Sequence, residues 1–199
     1  MKYLIPGILF IGGLAFFLAN CKGKASAGDK QITAKQDKTS PKVYHTKTNT
    51  FNDLRRMAFS ATPEQLQLSL PADKTVVYGV IMDWGIDTAT ATVVSYQTGD
   101  ASMYLSSGGG VIGGGQHQNV SSAAKQFVAL AQTFLGNATK TETQSLPGQD
   151  EVKFYLLTNK GTFVGQEVMR NFENNTSRWL PLFEEGNKVL SELRTTSEK

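Results

Sequence analysis

The chain has 199 residues, 40% of them hydrophobic and 19% charged, a net charge of +3 and a single cysteine. One cysteine excludes an intrachain disulfide, so the fold must rest on an apolar core. The basic excess is local: residues 22–50 carry seven lysines against two acids, a net of +5, while residues 51–199 carry a net of −3. It therefore gives no support for nucleic-acid binding by the main part of the chain.

The N-terminus opens with Met1-Lys2-Tyr3, followed by a nearly unbroken apolar and glycine run from Leu4 to Leu18. This is the layout of a secretory signal peptide over 1–20, and the run is too short to favour a full membrane span. It ends in Leu18-Ala19-Asn20-Cys21, which resembles a bacterial lipoprotein signal. That resemblance implies lipidation (palmitate included) of Cys21 and a membrane anchor at the mature N-terminus. Asn20 departs from the small residue common before the cysteine. An uncleaved N-terminal anchor and simple secretion stay open as alternatives. Residues 21–50 read as a lipidated cysteine and a disordered Lys/Thr-rich tether. A flexible chain of that length spans roughly 30 Å. Such a segment is either a solvated spacer or a strip that adsorbs to anionic lipid.

Residues 51–199 are long enough for one domain with a real core. Asn52 can cap a helix through Phe59. Thr62-Pro63-Glu64-Gln65 carries a capping box, predicting a second helix that Pro71 limits near Leu70. Three strands follow, over 75–83, 89–96 and 101–106, joined by turns short enough for an antiparallel meander. After a glycine-rich stretch, Asn119 or Ser121 can cap a helix to about Leu135, with an apolar stripe from Val120 to Phe134. Residues 137–150 read as a polar loop, 152–157 and 162–168 as a hairpin, 170–177 as a second polar loop, and 180–194 as a last helix. The predicted fold is α+β: an antiparallel sheet of about five strands with packed helices. Its element content is similar to profilin-type and longin-type layouts.

The glycine-rich stretch is the candidate site. Ser106-Ser107-Gly108-Gly109-Gly110-Val111-Ile112-Gly113 contains Gly108, Gly110 and Gly113 in GxGxxG spacing between a strand and a helix. Glycines let a backbone approach a phosphate, and a helix N-terminus attracts anions. Six glycines in eight residues also produce that spacing by chance. No acid lies about 20 residues on, and no βαβ unit surrounds it. The alternative is a packing loop in which Val111 and Ile112 enter the core. His117 is the only histidine of residues 51–199. It could act as a base for Ser106 or Ser107, with Asp83 or Asp87 as orienter, though no nucleophile elbow is present. Asp83, Trp84 and Asp87 sit around the first hairpin, where the acids could meet a ligand and Trp84 could anchor the turn. One histidine and no cysteine within 51–199 leave a poor ligand set for a metal. No cofactor is indicated.

The segments Val77-Tyr78-Gly79-Val80-Ile81-Met82-Asp83-Trp84-Gly85 and Tyr104–Gly115, together with Met57–Ser60, Thr62–Leu66 and Val152–Thr158, resemble an uncharacterised bacterial protein family. The resemblance covers roughly 51–194. It implies a discrete domain and carries over no site residue. The reading that follows is a lipid-anchored protein of the bacterial cell envelope, with a non-enzymatic domain that either binds a protein partner or supports envelope organisation. Lys22 follows the cysteine where an aspartate would favour inner-membrane retention, which leans the reading towards the outer membrane. The alternative is a small-ligand binder or hydrolytic enzyme using Ser106, Ser107 and His117.

Overall fold

The computed structural model describes Lys42–Val43 and Thr48–Ser197. The predicted signal, Cys21 and most of the tether lie outside the described residues. The rest forms one α+β domain. Strand β1 (Lys42–Val43) precedes helix α1 (Thr48–Ser60). Four strands follow: β2 (Val77–Ile86), β3 (Ala89–Tyr96), β4 (Ala101–Leu105) and β5 (Gly110–Ile112). Helix α2 (Gln118–Thr133) leads to β6 (Thr139–Thr141), β7 (Glu151–Thr158) and β8 (Gly161–Val168). A short α3 (Met169–Glu173) and the long α4 (Leu180–Ser197) end the chain.

One antiparallel sheet has the order β1-β5-β4-β3-β2-β7-β8-β6. Seven of these strands belong to the predicted domain, not about five; the two-residue β1 adds to one edge from the predicted tether. The additional strands are short. Gly110–Ile112 lies inside the glycine stretch, and Thr139–Thr141 inside the predicted polar loop. The ordered fold also begins earlier than Phe51. Lys42 and Val43 pair with Ile112 and Val111, and α1 starts at Thr48.

The sheet is covered on both faces, which explains why β2 and β3 are almost wholly buried and do not alternate with exposed positions. On the first face Val80, Met82, Val93, Phe154 and Leu156 meet α2 and α4. Helix α2 contributes Val120, Ala124, Phe127 and Ala131, and α4 contributes Leu182, Phe183, Val189 and Leu193. Trp179 stacks on Phe154 at 5.4 Å and on Phe134 at 5.3 Å. The ring lies so close to Gly165 that any Cβ there would fall inside it. The second face carries Tyr78, Ile81, Val94, Tyr104, Tyr155 and Leu157. It is covered by Phe51, Leu54, Ala58 and Phe59 of α1 and by Leu66, Leu68 and Leu70.

Three local expectations change. The capping box at Thr62 forms, with Gln65 N–H on Thr62 Oγ1 and Thr62 N–H on Gln65 Oε1. It opens only one turn, because Gln67 takes a left-handed φ of 57°. The Leu68 and Gln67 amides then close on the carbonyls of Pro63 and Glu64 in a Schellman stop. Residues 170–177 are not simply a polar loop: α3 forms there, and Phe172 stacks on Phe183 at 4.4 Å. Helix α2 begins at Gln118, with His117 at the N-cap and no capping side chain, so neither Asn119 nor Ser121 serves as the cap.

Candidate functional site

The glycine-rich stretch divides into two structures with different jobs. Ser106–Gly109 is the turn between β4 and β5, closed by Gly108 N–H on Leu105 O and Leu105 N–H on Gly109 O. Gly108 and Gly109 have φ of 109° and 87°, a region L side chains rarely adopt. Gly110 then pairs with Tyr104 so closely that a Cβ would strike the Met103 carbonyl. Val111 is buried against the first face and Ile112 packs on the second. Gly114–Gln116 forms a 3-10 turn at the other end of β4, where Gly114 lies under Leu193 and Val120. Gly108 and Gly110 thus build a hairpin, and Gly113, with a φ of 77° and open space beside it, leads into the 3-10 turn. Gly108 and Gly110 do not lie at the start of α2.

This layout separates the proposed nucleophile and base. Ser106 directly follows β4, and its Oγ accepts a bond from the Thr90 amide at 2.7 Å. Ser107 is exposed on the turn. His117 follows the 3-10 turn, beside the Ala101–Asp100 end of β4. Four strand steps of about 3.3 Å put roughly 13 Å between the two ends. Proton transfer needs contact near 3 Å. The His117 backbone N–H bonds Gly114 O, and Nε2 is buried without a partner among the described residues. Gly109 and Gly110 rim a shallow cleft against Thr50, Phe51 and Leu54 of α1. Its volume is about 10 Å³, close to the least that holds one water.

Asp87 takes a left-handed φ of 50° at the tip of the first hairpin. Trp84 meets Phe183 edge to face at 5.5 Å and anchors α4. Asp83 lies inside β2, not in the turn, and is fully buried on the second face. It is the centre of a constellation not foreseen from the residues. Arg55 of α1 donates to Asp83 Oδ2 from Nε at 3.0 Å and from Nη2 at 2.6 Å. Thr92 of β3 donates to Oδ1 at 2.5 Å. The third Arg55 bond runs from Nη1 to the carbonyl of Gln144 at 2.7 Å. The guanidinium lies over the rings of Phe59 and Tyr155, 4.7 and 5.6 Å from their centroids.

Residues 144–146 form a strap over this pair. Tyr155 donates its phenol to Ser145 O, and Lys153 Nζ bonds the Ser145 hydroxyl at 2.8 Å and Leu146 O at 3.2 Å. Two more phenols hold the end of α1: Tyr96 donates to Ala58 O and Tyr78 to Ala61 O. Burial raises the phenol pKa of Tyr78, Tyr96, Tyr104 and Tyr155 above the usual value.

Elsewhere, an open groove of about 420 Å³ is lined by Asp150, Glu151, Val168, Arg170 and Glu173. Among the described residues no group of three His, Cys, Asp or Glu converges to hold a metal ion. No helix among them is long and apolar enough to cross a membrane. Comparison of the chain with protein-family models, with curated proteins and with solved structures finds no match.

Proposed function

We propose that the protein is a lipid-anchored component of the bacterial cell envelope, held through Cys21, probing its surroundings with an α+β domain that binds a protein partner or supports envelope organisation. The observation that carries this reading is the N-terminal layout: a lysine-led apolar run ending at the only cysteine. Each acyl methylene that enters a bilayer contributes about 0.8 kcal/mol, so several chains on one cysteine anchor a soluble domain firmly. The domain geometry is compatible with a binding or structural role. Asp83 and Ser106 already have internal partners, and Ser106 and His117 stand at opposite ends of β4. The outer membrane is the proposed location in a two-membrane cell.

The test is incorporation of labelled palmitate in the native host. Wild-type protein should take up label and enter the detergent phase, and Cys21→Ala should do neither. An unlabelled, soluble wild-type protein would remove the anchoring part of the proposal.

A further inference from the structure

We draw no further inference here: the strongest candidate, the groove of about 320 Å³ between the start of β2 and α2, lined by Val76, Val77, Gln97, Lys125, Val128 and Gln132, carries nothing because Val77 and Val128 are already buried in the core and nothing in the structure shows what would sit against Lys125.

Discussion

Replacing Arg55 by methionine keeps the apolar stem of the side chain and removes its guanidinium and its charge. Asp83, fully buried, then loses two of its three hydrogen bonds and the cation it is paired with. Breaking a buried pair in this one-sided way costs about 3–5 kcal/mol. For a domain near 150 residues, 1 kcal/mol moves Tm by roughly 2–4 °C, so the expected fall is about 6–20 °C. The informative comparison is Arg55→Met/Asp83→Leu/Thr92→Val. It removes all the polar side chains of the pair at once and leaves no buried carboxylate or hydroxyl to desolvate. Its stability should return to within about 2 kcal/mol of wild type, or exceed it, as well-packed apolar replacements of buried pairs often do. Urea unfolding measures both variants, and an unchanged m-value would show that the compactness of the end states is the same. If the single and triple variants lost equal stability, the cost would lie in side-chain packing and not in an orphaned charge, and the electrostatic argument would fail.

Three further outcomes are expected. Gly165→Ala drives a methyl group into the Trp179 ring, which Phe154 and Phe134 hold in place, so a loss of about 1–3 kcal/mol with a shifted tryptophan fluorescence maximum should follow; an unperturbed spectrum and Tm would show that the ring can move aside. Ser106→Ala removes the acceptor for the Thr90 amide and should cost about 1 kcal/mol in urea unfolding, whatever activity the protein has. Burial holds Tyr96, Tyr104, Tyr78 and Tyr155 above the ordinary phenol pKa of 10.0, so the unfolded chain releases these protons first. Their contribution is therefore fully present below pH 10 and is lost as pH rises through the folded values. A native tyrosinate absorbance titration that overlays the one in urea would contradict this.

The elements with clear periodicity were readable. The apolar stripe of α2, the span of β3 and the two hairpins follow from side-chain pattern and turn residues alone. Short strands were not. Thr139–Thr141 has no apolar residue, and Gly110–Ile112 is mostly defined by its pairing with β4. Helix α3 escaped because Met-Arg-Asn-Phe-Glu has one deeply buried side chain, Phe172, and polar neighbours. The glycine stretch attracted attention as a phosphate cradle, yet the same composition serves a hairpin turn and a close approach under α4. Arg55–Asp83 left no trace of its pairing. The partners are 28 residues apart, one in a helix with other exposed charges and the other in a run of β-formers. The only signal was an acid at Asp83 amid residues that otherwise read as a buried strand, and a buried carboxylate demands a cation from somewhere.

Helix α4 decides when the molecule can finish folding. Its Leu182, Phe183, Val189 and Leu193 follow every strand in the described residues, and they lie across the face formed by strands made much earlier. At about 1.5–3 kcal/mol for each buried side chain, they supply an upper estimate of roughly 6–12 kcal/mol, as large as the net stability of a typical domain. A nascent chain lacking them has assembled hairpins but a first face roofed by α2 without α4. Closure of this face therefore waits for α4. A chain cut before Leu180 would keep its hairpins and expose the Val80, Met82, Phe154 and Leu156 side of the sheet where α4 packs.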